Sequence, residues 1–107
     1  MTFRIKQNDT APSLRANLKQ GDNDPIDLSN ATVRFHMRAV GSSYAVVDKD
    51  AVVANAGSGI VQYNWEQADT ATVGEYQAEF EVTYPGGEVE TFPNGGFLGV
   101  TVTDDIA

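Results

Sequence analysis

Cysteine is missing from all 107 residues, so disulfide staples, thiolate metal sites and cysteine nucleophiles are excluded together. Histidine occurs once, at His36, which leaves a histidine-based triad or a zinc centre without nearby support. Basic residues are scarce. Seven Lys and Arg face fifteen Asp and Glu, a formal net charge of −8, and phosphate-backbone binding requires the opposite balance. Nucleic acid and anionic membrane surfaces are therefore not expected as partners. No apolar stretch is long enough to span a bilayer. The opening Met1-Thr2-Phe3-Arg4-Ile5-Lys6 alternates apolar and basic residues and lacks the continuous apolar run of a signal peptide. A soluble product, made and kept in a cytoplasm until assembled or released, is the expectation. Phosphate-binding glycine loops, the G-x-S-x-G elbow and the H-E-x-x-H zinc helix are all absent. An enzyme is not expected, nor a cofactor.

What is present is a folding chain, with 41% hydrophobic and 21% charged residues. Its length suits one domain with one core, over residues 1–107. Period-two alternation dominates and helical periodicity is missing. Phe3 and Ile5 alternate with Arg4 and Lys6, and Leu14, Ala16 and Leu18 with Arg15, Asn17 and Lys19. Pro12 between them predicts an N-terminal edge strand that breaks and resumes on a different line. Val33, Phe35, Met37 and Ala39 share one face of a strand whose other face carries Thr32, Arg34, His36 and Arg38. Tyr44 to Asn55 is strand-like but out of phase with itself, and Asp48-Lys49-Asp50 reads as a bulge or tight turn. Ala56-Gly57-Ser58-Gly59 predicts a hairpin turn into Val61, Tyr63 and Trp65. Glu66 to Val73 suits one helical turn or an irregular crossover. Tyr76, Ala78, Phe80, Val82 and Tyr84 then face away from Glu75, Gln77, Glu79 and Glu81. Pro85-Gly86-Gly87 turns the chain back, and Phe97 to Thr103 forms the last strand.

Seven to nine short strands, each with one apolar face, predict two antiparallel sheets packed as a sandwich. Asp69-x-x-x-x-Gly74-x-Tyr76-x-Ala78 resembles the approach to strand F in immunoglobulin-like domains. There a tyrosine hydroxyl bonds back to nearby backbone and pins the crossover between sheets. Tyr76, with Asp69 before it and Trp65 as the large core aromatic, is the candidate structural corner. The fold class is therefore an all-β, immunoglobulin-like sandwich.

Three clusters could carry function. Asp22, Asp24 and Asp27 crowd the first long loop, as hard cations prefer, but Pro25 follows directly and no bidentate Glu closes a calcium loop. Turn formation accounts for them. Glu79 and Glu81 lie outward on one strand, and Glu88 and Glu90 on the next strand of the same hairpin. Read as one face, these four carboxylates are a candidate docking surface for a basic partner protein, set against a solvated face that protects an edge. Tyr44, Tyr84 and Phe97 are candidate aromatic platforms for a carbohydrate. The Asn-x-Thr triplets at Asn8 and Asn30 read as turn chemistry.

Several segments together resemble the N-terminal domain of the phage baseplate upper protein family. They are Asp9-Thr10-Ala11-Pro12, Gly21 with Pro25-Ile26-Asp27-Leu28, Ala31 to Met37, Gly59 to Trp65, Asp69-Thr70, Gly74 to Phe80 and Glu90-Thr91-Phe92-Pro93. The resemblance implies a non-enzymatic virion protein that attaches to a tail or baseplate in multiple copies of a symmetric assembly. Its partners would be other virion proteins. Family members continue into receptor-binding segments, whereas this chain stops at Ala107, so the resemblance implies a small virion component. A capsid decoration or head–tail adaptor is the alternative within the same class. Edges near Phe3 to Lys6 and Phe97 to Thr103 are expected to be free to extend a neighbour's sheet.

Overall fold

The computed structural model describes residues 2–21 and 24–106. Eleven strands run in the order β1 (Thr2–Lys6), β2 (Leu14–Asn17), β3 (Lys19–Gln20), β4 (Asp24–Pro25), β5 (Thr32–Ala39) and β6 (Val47–Asp50). They continue with β7 (Val52–Asn55), β8 (Ile60–Tyr63), β9 (Gly74–Thr83), β10 (Val89–Phe92) and β11 (Leu98–Thr103). The larger sheet has the order β1-β11-β9-β5-β6, with β10 also on β9, and the smaller one is β2-β8-β7. The two face each other as an immunoglobulin-like sandwich. A short β3-β4 pair extends the smaller sheet's corner.

The count among the described residues exceeds seven to nine because β3 and β4 are two-residue pairings. Strands β10 and β11, separate in the sequence pattern, lie end to end along β9. Phe92 pairs with Phe80 and Leu98 with Ala78, so residues 93–97 bulge out opposite Glu79 alone. Pro93 cannot donate to the ladder and Gly96 takes φ 75°, which favours the interruption.

One pairing is parallel, within sheets that are otherwise antiparallel. Strand β1 runs alongside β11 from Thr2 opposite Gly99 to Lys6 opposite Thr103. The cause is the crossover that follows. Gln7 donates its amide to the Thr103 carbonyl at 2.8 Å and Asn8 to Thr70 at 2.9 Å, so β1 must end where β11 ends. This places β11 inside the sheet, between β1 and β9. The edge expected at Phe97 to Thr103 is therefore not free, while that of β1 is.

The phase break near residue 50 is a change of sheet, not a bulge or turn. Asp48, Lys49 and Asp50 belong to β6 on the larger sheet, and after Ala51 the chain enters β7 on the smaller one. Each strand alternates normally about its own sheet, so two sheets' phases abut in the sequence.

The core is aromatic at its centre. Phe35, fully buried, stacks on Tyr63 at 4.3 Å between centroids and meets Trp65 edge-on at 5.6 Å and Phe80 at 5.2 Å. Phe3 brings β1 onto Trp65 at 5.8 Å. Such pairs each add about 0.5–1.5 kcal/mol beyond the area they bury. Strands β5 and β9 contribute Val33, Met37, Tyr76, Ala78 and Val82 in phase, facing Leu14, Val61 and Tyr63 from the smaller sheet.

Candidate interaction surfaces

The crossover from β8 to β9 holds the densest polar cluster. Glu66 opens a 3-10 turn over Gln67–Thr70. Within it Asp69, only 8% exposed, accepts from Tyr63 Oη at 2.6 Å, the Glu66 amide at 2.8 Å and Lys49 Nζ at 2.9 Å. Lys49 also reaches Glu66 at 3.1 Å. Burial pushes the Asp69 carboxyl up, but the three donors outweigh it and hold the group below its ordinary range. The Tyr63 hydroxyl is pushed up, by burial first and by its bond to Asp69. The same turn anchors the N-terminal crossover, with Thr70 Oγ1 donating to the Asp9 carbonyl at 2.9 Å. Tyr76, entering β9, donates its hydroxyl to the Thr72 carbonyl at 2.6 Å, and burial raises its pKa. Trp65 lies deeper, with no hydrogen-bond acceptor for Nε1 among the described residues.

Tyr76→Phe removes that hydroxyl and strands a carbonyl at the turn. A loss of about 1–2 kcal/mol is expected. Urea unfolding should show a lower midpoint with an unchanged slope, since the buried surface stays the same.

The outer face of the larger sheet is a charge lattice. Arg34 on β5 forks to Asp48 at 2.8 Å and Asp50 at 2.9 Å on β6. That fork, foremost, holds the Asp48 carboxyl low. His36 stands between carboxylates, 3.2 Å from Asp48 and 3.3 Å from Glu79. Its cross-strand neighbours are acidic, although its neighbours along the strand are arginines. Arg38 donates to Gln77 at 3.2 Å and lies 4.9 Å over the ring centre of Phe97.

The four candidate docking carboxylates do not share a face. Strand β10 pairs with β9 so that Glu90 is opposite Val82 and Thr91 opposite Glu81. The Tyr84 amide closes the hairpin on the Glu88 carbonyl. Three residues, Pro85-Gly86-Gly87, therefore separate the paired positions, and even numbers face even numbers. Glu88 and Glu90 fall in phase with Tyr84 and Val82, on the side toward the smaller sheet. Glu90 accepts from Tyr84 Oη at 2.7 Å and from Gln20 at 3.3 Å across the sandwich. Burial and this carboxylate push the Tyr84 hydroxyl up to about 12. Glu79 and Glu81 stay outward, opposite His36 and Arg34.

At the far end of this face, side chains with apolar surface remain in solvent. A cavity of about 280 Å³ is lined by Met37, Arg38, Ala45, Glu79 and Phe97 among others. Phe97 in its wall is about half exposed, and so are Val40 and Val46 on the segments that supply Arg38 and Ala45. Tyr44, between the lining residues Ser43 and Ala45, is 74% exposed. Tyr44 and Phe97 are two of the three candidate platform aromatics, whereas no motif or spacing announces Val40 and Val46 as exposed. Tyr84 lies at the opposite end of β9 with its hydroxyl engaged, so Tyr44, Tyr84 and Phe97 form no common platform. In the first loop, Asp27 spends one oxygen on the amide and hydroxyl of Ser29, at 2.9 and 2.6 Å. These bonds hold its carboxyl low. Asp22 lies outside the described residues, and no group of three acidic or histidine ligands occurs among those described.

The arrangement is that of an immunoglobulin-like module that offers a charged sheet face, an apolar end and free edges. Particular kinship comes from sequence. The chain belongs to the BppU N-terminal domain family, whose model matches residues 2–97. This is the baseplate upper protein family, so the protein is a phage baseplate-related structural protein, with a place in the virion and other virion proteins as partners. The family is a phage structural baseplate domain and not a known enzyme class. No curated protein matches the chain. Among solved structures, the crystal structure of CopC from Methylosinus trichosporium OB3b is similar, with a TM-score of 0.55 at 12% identity. That likeness spans 99% of this chain and 87% of the other, and at such identity it concerns the fold alone.

Proposed function

We propose that the chain is a non-enzymatic baseplate or tail subunit that works as a single domain over residues 1–107. It is present in several symmetry-related copies and docks through the outer face of its larger sheet. The observation that carries this reading is the patch around Arg38 and Phe97. There, Arg38, Phe97 and Glu79 line one cavity, and Val40, Tyr44 and Val46, close in sequence to its lining residues Arg38, Ser43 and Ala45, are exposed. Interface cores favour aromatic residues and arginine, with charged residues at the rim. Glu79 and Glu81 supply that rim, selecting a partner with a basic surface. Glu90 is left to tie Tyr84 and Gln20 together across the sandwich, and Glu88 lies outside this face.

The test is Glu79→Lys combined with Glu81→Lys. Lysines beside His36 and Arg34 replace attraction with repulsion, which costs about 1–2 kcal/mol and leaves the fold intact. Incorporation into purified virions, measured by quantitative mass spectrometry, is expected to fall at least tenfold. Unchanged incorporation would reject this docking face, and absence of the parent chain from virions would reject the function.

A further inference from the structure

A second surface lies between the two sheets and meets the first at Phe97, which lines both cavities. Among the described residues, strand β2 ends the smaller sheet and pairs only with β8, and strand β10 pairs only with β9. Between these edges opens a groove of about 420 Å³, lined by Ala16, Leu18, Phe80, Phe92 and Leu98, with Pro93 and Asn94 at its lip. Core side chains thus form the floor of a slot open to solvent. Gln20 closes one end of it through Glu90.

We propose that this groove accepts an extended segment of a partner virion protein, which adds as a strand to the free edge of β2. This rests on the reading of the chain as an assembly subunit. Main-chain geometry supports it. Leu18 donates its amide to the Gly59 carbonyl at 2.7 Å and accepts from Ile26 at 3.0 Å, so its polar groups point into the sheet. By alternation the main-chain groups of Asn17 and Arg15 point out, ready to pair. Side-chain geometry sets the partner's chemistry. Ala16 and Leu18 line the groove, in phase with the buried Leu14, whereas Arg15 is exposed on the other side of the edge and the exposed Asn17 and Lys19 stand at the groove's rim. Arg15 and Lys19 are cations in a chain of net charge −8, and neither is ion-paired among the described residues. Opposite charges across strands are favourable, and successive residues alternate faces. The fitting segment therefore alternates apolar residues, which fill the groove, with acidic residues, which pair with Arg15 and Lys19. Such a segment differs from the basic partner expected at Glu79 and Glu81.

The experiment uses a synthetic nine-residue peptide of alternating valine and glutamate, its valine–lysine counterpart, and the isotope-labelled full chain. On adding the glutamate peptide, amide shifts and slowed hydrogen exchange are expected at Arg15, Asn17 and Lys19, with smaller shifts in β10. The lysine peptide should bind at least tenfold more weakly, and Arg15→Glu with Lys19→Glu should reverse that preference. Both positions are exposed, so the double variant keeps its fold. Protection at β1 or β6 instead, equal binding of the two peptides, or no binding at millimolar peptide would each overturn the proposal. In purified virions, a photo-crosslinker at Asn17 should join the chain to another virion protein. A chain present in virions but uncrosslinked there refutes the groove alone, whereas a chain absent from virions refutes the assembly reading.

Discussion

Asp69→Ala should lower stability by about 3 kcal/mol, because removing one partner leaves the others buried and unmatched. The carboxylate satisfies three donors from three places: Tyr63 on β8, the Glu66 amide and Lys49 on β6. Without it the Tyr63 hydroxyl has no acceptor at the end of the core. Lys49 retains Glu66, which keeps the cost near the lower end for a broken buried pair. A melting-temperature drop of roughly 15 °C is expected for a domain of this size. The pH dependence separates charge from shape. The folded carboxyl lies below its unfolded value of 3.8, so its contribution is present above that pH and is lost as pH falls through the folded value. Lys49 is raised above 10.5, mainly by its bond to Asp69, so its contribution disappears only as pH rises through that raised value. Both are in full force near neutrality. Asp69→Asn should then destabilise at pH 7 yet flatten the acid limb of stability, measured as urea midpoints at pH 7 and pH 3. An acid limb as steep as the parent's would rule out Asp69 as its source.

Alternation made the inner faces of β5, β8 and β9 legible, because a strand with one buried face must place apolar residues at every second position. Lys49 shows where such reading stops. A charged residue in phase with a core face looks like a turn, and its partner is twenty residues away on another element. Only the third dimension shows that the inward lysine is matched by Asp69. The direction of β1 was hidden for a similar reason. Pattern fixes which face a strand buries, not which neighbour it pairs with, and here the crossover bonds of Gln7 and Asn8 decide the pairing.

The surfaces were less legible than the core. Glu79 and Glu81 could be placed outward from the sequence, but Glu88 and Glu90 required the hairpin register, which one loop residue more or fewer would invert. Phe97 reads both as the first residue of a strand and as a candidate surface aromatic, and the 93–97 bulge, which lifts it from the ladder, leaves it exposed. The groove beside β2 had no sequence signal at all. It results from what fails to pair with Leu14–Asn17, and a missing neighbour leaves no mark on the strand that lacks it.

Gly59→Ala is expected to cost about 3–4 kcal/mol, while Gly57→Ala in the same turn changes stability by less than about 0.5 kcal/mol. Both glycines read alike in the sequence, as parts of one hairpin turn. Gly59 takes φ 67°, a region that costs an L-residue about 1–2 kcal/mol. A methyl group there would also lie 2.6 Å from the Leu18 carbonyl oxygen and 2.9 Å from that of Ile26. Both are backbone atoms, which cannot swing aside as a side chain can. Relief requires separating β8 from the β2–β4 corner, which weakens the bonds from Leu18 to Gly59 at 2.7 Å and from Ile26 to Leu18 at 3.0 Å. Gly57 has a negative φ and its nearest obstacle is Asn55 Oδ1 at 3.9 Å, so alanine fits. Alanine there would even restrict the unfolded chain slightly, in favour of folding. Paired urea titrations measure the difference directly, and equal effects at the two positions would refute the close-packing account. The corner that Gly59 closes also sets the free edge of β2. Gly59→Ala should therefore weaken binding of the valine–glutamate peptide even where the chain remains folded, whereas Gly57→Ala should leave it unchanged.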